Sequence, residues 1–192
     1  MKLLILGGSG MVGHRLAKKL SNQYEIFSLL RKRPDLDSNQ FFEKVLPKNQ
    51  CIFIDDINEY ENLNNTVKKI SPDIIINCIG VIKQRDKVEN VLNMKRINSL
   101  LPHILNEICN KNKIKLIHLS TDCVFSGTKG NYQESDSPDP IDEYGKSKML
   151  GEIRKGNALT LRISFIGPEL FNKKSLFEWV KQQKNKTING YT

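Results

Sequence analysis

Short runs of Val, Ile and Leu alternate along this chain with longer stretches whose apolar residues recur at helical spacing. "KLLILG" at the start reads as a buried strand, and "MVGHRLAKKL" follows with Val12, Leu16 and Leu20 on one helical stripe. "YEIFSLL" and "CIFID" read as the second and third strands. "NEYENLNNTVKKI" places Leu63, Val67 and Ile70 on one face and stops at Pro72. "DIIINCIG" is a fourth strand, apolar on both faces. "VENVLNMKRINSLLPHILNEIC" predicts a long helix interrupted or bent near Pro102, and "KIKLIHLS" a fifth strand. A Gly-, Ser-, Asp- and Pro-rich loop covers about 122–140. "IDEYGKSKMLGEIRK" predicts a helix, "ALTLRIS" a sixth strand and "SLFEWVKQQ" a last helix, before a turn-like Asn189-Gly190. Unbroken apolar strands alternating with helices imply a parallel sheet covered on both faces, a doubly wound α/β domain of Rossmann type.

Composition narrows the class. The 192 residues, 39% hydrophobic and 27% charged, suit one globular domain. No run reaches the roughly 18 apolar residues of a membrane span, and the opening apolar run is too short for a secretory leader. The expectation is a soluble, cytoplasmic protein with no membrane partner. Cys51, Cys78, Cys109 and Cys123 are widely spaced, which favours reduced thiols over a disulfide framework or a metal site. The net charge of +9 is scattered, with small knots at Arg31–Arg33, Lys111–Lys115 and Lys181–Lys186. No long basic tract or base-stacking aromatic motif accompanies it, so no nucleic acid is expected.

The chemistry-bearing stretches fall at predicted strand ends. Gly7, Gly10 and Gly13 frame "GGSGMVG", with Met11 and Val12 opening the helix. Between a strand and a helix this pattern serves as a pyrophosphate cradle, since glycine lets the backbone approach and the helix N-terminus offers free N–H groups. After the second strand come Arg31, Lys32 and Arg33, with Asp35 and Asp37 only beyond Pro34. A basic residue there accommodates a 2′-phosphate, which favours NADP(H) over NAD(H), with Arg31 the first candidate; an exposed basic loop is the plain alternative. Asp56 and Ile57 can frame an adenine, or Asp56 can cap the next helix. Asn77 and Gly80 end the fourth strand at the edge where a cofactor would lie, or simply form its turn. Tyr144 and Lys148 stand four apart on one helix face, where an ammonium would draw a phenol's pKa down toward neutral. Ser120, Thr121 and Asp122 close the fifth strand at the same edge, and a hydroxyl there can bind a carbonyl oxygen.

Together, "GGSGMVG", "DDI", "NCIG", "STDCVFSGTKGNYQESDSPDPIDEYGKSKMLGE" and "LRISFIGPE" resemble an extended short-chain dehydrogenase/reductase. More narrowly they resemble the dTDP-4-dehydrorhamnose reductase group of nucleotide-sugar reductases, over about residues 2–169. The resemblance implies a Rossmann domain that binds NADP(H), with NAD(H) admissible, and a 4-keto deoxysugar nucleotide as substrate, in surface polysaccharide synthesis. By position, Tyr144 would protonate the ketone oxygen. Lys148 would tune Tyr144 and hold the nicotinamide ribose, and Thr121 would bind the reacting oxygen. The group commonly has Tyr or Trp where Cys123 stands, which puts a substrate-stacking contact in doubt. Its members run roughly a hundred residues longer. The expectation is therefore a cofactor domain over 1–170, the start of a truncated substrate-binding region over 171–192, and an isolated chain of low turnover. An epimerase or dehydratase on the same fold, a non-catalytic NADP-binding subunit, and a homodimer all remain compatible with these motifs.

Overall fold

The computed structural model describes residues 1–31, 45–47, 50–82, 88–171, 175–184 and 186–187. The expectations for Lys32, Arg33 and Asn189-Gly190 lie outside the described residues. Six parallel strands form one sheet: β1 (Lys2–Leu6), β2 (Glu25–Arg31), β3 (Cys51–Ile54), β4 (Ile74–Asn77), β5 (Lys115–Thr121) and β6 (Ala158–Ile163). Their order is β3-β2-β1-β4-β5-β6, the doubly wound arrangement anticipated from the pattern. The chain reverses direction across the sheet between β1 and β4, which opens a crevice at the carboxyl edge.

Alternation along each strand feeds two cores. Leu4, Leu6, Leu29, Ile75 and Leu116 pack on one face beneath α2 (Tyr60–Ile70) and α4 (Leu101–Asn112), against Leu63, Val67, Leu101 and Leu105. Leu3, Ile5, Ile26, Leu30 and Ile76 pack on the other with Ala17 of α1 (Met11–Leu20). Full burial of such side chains contributes roughly 1.5–3 kcal/mol each. That burial on both faces is why the strands read as unbroken apolar runs.

Two elements sharpen the sequence expectation. The helix expected over 88–109 is interrupted near Pro102, as anticipated. It runs as α3 (Val88–Met94), a π turn (Lys95–Leu100) and α4, so the irregularity falls just before the proline. Proline has no N–H for the carbonyl of Asn98, and a widened turn followed by Pro near an N-terminus absorbs that loss. The helix expected over 141–155 is only α5 (Glu143–Leu150). Gly151 ends it where the backbone passes so close to the Asn98 carbonyl that a Cβ there would overlap it. A short helix α6 (Leu176–Gln182) follows β6. Among the described residues no helix is long and apolar enough to cross a membrane, and no group of three metal-ligating side chains converges.

Candidate active site

The cradle is built from backbone. Gly7 turns with φ +80°, a left-handed conformation that glycine adopts freely, and its N–H donates to the Leu29 carbonyl at 3.0 Å. A Cβ on Gly13 would overlap the Gly7 carbonyl, so glycine alone lets α1 sit this close to the turn. Gly10 caps α1 without a side-chain hydrogen bond, and the first turn carries no acid. The N–H groups of Met11, Val12 and Gly13 therefore lack intrahelical acceptors and favour an anion. The fit to a pyrophosphate is good. Gly167, beyond β6, brings its backbone to the same mouth, where a Cβ would lie 3.7 Å from the Met11 sulfur.

The remaining expected cofactor residues line the same carboxyl edge. Arg31 is exposed at the end of β2, paired in register with Ile54 of β3. Asp56 accepts hydrogen bonds from the backbone N–H and side-chain amide of Asn58, both at 2.9 Å, and does not cap α2, whose N-cap position is Glu59. Ile57 packs its side chain against the core. Asn77 is fully buried with its amide engaged at both ends. Its Oδ1 accepts from Ile79 N–H at 3.1 Å, and its Nδ2 donates to His118 Nδ1 at 3.1 Å. Asn77 thus shapes the turn that presses on Gly7, whose Cβ position lies 3.0 Å from Ile79 Cγ1. Gly80 leaves space beside Lys148, whose Nζ stands 3.9 Å from the point a Gly80 Cβ would occupy.

Thr121 ends β5, and Tyr144 and Lys148 stand one turn apart on α5, which packs beside that strand. Thr121 is buried at the end of β5, accepting from the Cys123 N–H at 3.2 Å and donating to Asp122 Oδ1 at 3.1 Å. The half-buried Tyr144 phenol lies close enough to the Thr121 hydroxyl to feel it electrostatically. Lys148 is 4% exposed and donates to the Leu119 carbonyl at 2.6 Å. The electrostatics correct the sequence expectation for this pair. Burial, reinforced by the nearby Cys123, Asp122 and Asp142, raises the Tyr144 pKa above 10 against a lowering influence from the Thr121 hydroxyl. The Lys148 ammonium is turned to a backbone carbonyl, and burial brings it down to about 8 against a small opposing pull from Glu152.

Holding Lys148 in this place opposes folding. Its folded pKa is lowered, so between pH 8 and 10.5 the native state binds fewer protons than the unfolded chain and stability rises with pH. Below that window the buried charge costs up to about 3 kcal/mol, less the hydrogen bond to Leu119. Lys148→Met is therefore expected to be more stable at pH 7 by about 1–2 kcal/mol, with the gain gone by pH 10. Urea unfolding at the two pH values measures it, and a variant weaker than wild type at pH 7 contradicts it.

Several supporting residues carry no sequence signal of their own. Asn98 in the π turn is fully buried. Its Oδ1 accepts from Val81 N–H at 2.8 Å, and its Nδ2 donates to the Val81 carbonyl at 2.9 Å and to Ser147 Oγ at 3.0 Å. The turn after β4 is thereby tied to the helix bearing Tyr144 and Lys148. Glu152 accepts from Ser120 Oγ at 3.0 Å and from Arg162 Nε and Nη2 at 2.7 and 2.8 Å. The Arg162 guanidinium lies 4.9 Å over the Phe125 ring, which stacks on Tyr132 at 4.4 Å. This chain of contacts pins the 122–140 loop to the sheet.

The thiols separate by environment. Burial pushes Cys51 up to about 11 and Cys78 and Cys109 up to about 12, whereas Cys123 is exposed beside Tyr144. Iodoacetamide at pH 7.5 is expected to modify Cys123 first, as read by peptide mass spectrometry.

A doubly wound sheet with a glycine cradle and a Thr–Tyr–Lys cluster at one mouth defines an α/β protein of the dinucleotide-binding class. The profile of the RmlD substrate binding domain matches residues 1–173, and the chain belongs to that family. It is 32% identical over 173 residues to the probable low-salt glycan biosynthesis reductase Agl14 of Haloferax volcanii, covering 86% of this chain and 54% of that protein. Among solved structures it is similar to a hypothetical dTDP-4-dehydrorhamnose reductase from Sulfolobus tokodaii (29% identity, TM-score 0.67, 84% of this chain and 55% of that one). It is also similar to the Bacillus anthracis dTDP-4-dehydrorhamnose reductase in complex with NADP (26%, TM-score 0.61, 78% and 47%). The chain spans about half the length of the curated relatives it matches.

Proposed function

We propose that this chain is the cofactor-binding and catalytic part of an NADPH-dependent reductase acting on a 4-keto deoxysugar nucleotide. The observation that carries the reading is the cluster of Thr121, Tyr144 and Lys148 beside a backbone cradle whose N–H groups lack acceptors. Residues 1–170 would hold the cofactor, and 171–192 would begin the substrate-binding region. Gly7, Gly10, Met11, Val12 and Gly13 would hold the pyrophosphate, Arg31 a 2′-phosphate, and Asp56 with Ile57 the adenine. The cofactor, when bound, supplies hydride to the ketone carbon.

This chain's own residues handle the oxygen. Thr121 orients the carbonyl, and Tyr144 donates the proton as the alkoxide forms. A phenol held above its ordinary pKa is protonated at neutral pH, which is the state a general acid needs. Lys148, still largely charged at pH 7, stabilises the phenolate left behind. Asn77 and Asn98 act by fixing the two backbone turns around this cluster.

The test is NADPH oxidation against a panel of 4-keto nucleotide sugars, with NADPH binding measured separately by fluorescence. Net consumption with one of them is expected. Tightly held NAD without net consumption would favour an epimerase or dehydratase instead, and NADPH binding with no turnover would favour a non-catalytic subunit.

A further inference from the structure

A cavity lies away from this cluster. It occupies about 660 Å³ at the opposite, amino edge of the sheet, between the C-termini of α2 and α4 and the starts of β4 and β5. That volume is in the range of small-molecule sites, roughly 300–1,000 Å³. Met1 and Ile74 give it apolar surface over the buried Val67 and Ile114, and Lys68, Lys113 and Lys115 stand on its rim.

Three features make the basin attractive to an anion. None of these three ammonium groups pairs with a carboxylate among the described residues, whereas Lys111, Lys129 and Lys146 each do. The carboxylate of the basin, Asp73, accepts the Lys2 backbone N–H at 2.7 Å, so part of its charge is already engaged. The helix C-termini, which would otherwise present negative dipole ends, are capped. The Val67 and Lys68 carbonyls accept from Ser71 N–H and Oγ at 2.8 Å each. The Ile70 carbonyl accepts from Lys2 Nζ at 2.9 Å, and the Cys109 carbonyl accepts from Ile114 N–H at 2.9 Å.

We infer that this basin is a second ligand site, separate from the nucleotide cradle, for a small soluble amphipathic anion: an aromatic or short acyl body with a phosphate, sulfonate or carboxylate head. The apolar surface takes the body and the three lysines take the head.

The probe is 8-anilinonaphthalene-1-sulfonate, followed by fluorescence titration in about 0.1 M salt, with and without saturating NADPH. Saturable binding that NADPH leaves unchanged is expected. Reversing Lys68, Lys113 and Lys115 to Glu together weakens it about tenfold, the scale of removing three partly screened ionic attractions at once. Reversing Lys18, Lys19 and Lys181 to Glu alters net charge equally but leaves binding within about twofold. All six are exposed, so both variants are expected to fold. Equal weakening in the two variants would reduce the effect to general electrostatics, and displacement by NADPH would place the probe in the cradle. Either result overturns the inference.

Discussion

Between pH 6.5 and pH 3 the protein loses up to about 5 kcal/mol of stability through His118 alone. His118 lies on β5 with no exposed surface. Burial is the main reason its pKa falls from 6.5 to about 3, with Lys148 and His103 adding like-charge repulsion. Above pH 6.5 the imidazole is neutral in both states and contributes no slope. Below it the unfolded chain takes up a proton that the native state refuses until about pH 3, so stability falls throughout the window. Single domains hold about 5–15 kcal/mol in total, so this one group can decide acid survival. The buried His14, also lowered mainly by burial, acts in the same direction. His118→Gln can still accept from Asn77 and does not titrate. Urea unfolding at pH 7, 5.5 and 4.5 should give wild type a steeper decline than the variant, whatever their absolute stabilities. Parallel declines would exclude His118 as the cause.

The tautomer follows from its neighbours. Asn77 Oδ1 is committed to Ile79 N–H, so Asn77 Nδ2 must donate and His118 Nδ1 must accept. The proton of the neutral ring therefore sits on Nε2, which is buried without a protein partner. Protonation would add a charge at Nδ1 against the Asn77 N–H donor, with Lys148 nearby. Neutral His118 is thus a condition for both the strand-end turn at Asn77 and the buried ammonium of Lys148.

The parts of this protein legible in its sequence are those whose cause is local. "GGSGMVG" announces its turn because a positive φ at Gly7 and a close approach at Gly13 arise within seven residues. Strand and helix spacing marks the six strands, and the doubly wound class follows from them. The Tyr144–Lys148 spacing places both on one short helix. What escapes depends on distant partners. Asn98 reads as an ordinary polar helix residue until Val81 and Ser147, 17 and 49 positions away, close on it. Glu152 and Arg162 carry no signal in the sequence of the contacts they make around Ser120 beneath the 122–140 loop. The direction of the Tyr144 shift, expected downward and found upward, has the same origin. Helical spacing gives proximity of backbone positions, whereas the Lys148 ammonium is steered by the Leu119 carbonyl, 29 residues away.

That geometry sets the second large effect. On the proposed reading, Tyr144→Phe is expected to lower kcat for NADPH-dependent ketone reduction by about 10³-fold, within the range for loss of a general acid. NADPH affinity should change by no more than about threefold, because the cradle at Gly7–Gly13 is backbone and lies on α1 rather than α5. The fold should survive, since the change removes only the phenol oxygen of a half-buried side chain and Thr121 keeps Asp122 and the Cys123 N–H as partners. Thr121→Val separates two roles for that hydroxyl. If it orients the ketone, kcat/KM falls with Tyr144 present and barely changes further once Tyr144→Phe is in place, the non-additivity of residues acting as a unit. The pH profile gives an independent reading. Reduction should hold through neutral pH and decline as Lys148 loses its charge near pH 8, while Tyr144 stays protonated beyond that point. In Lys148→Met the decline near 8 should vanish, leaving a low rate that falls only in the tyrosine range. Full activity in Tyr144→Phe, or an unshifted decline in Lys148→Met, would remove Tyr144 or Lys148 from these roles.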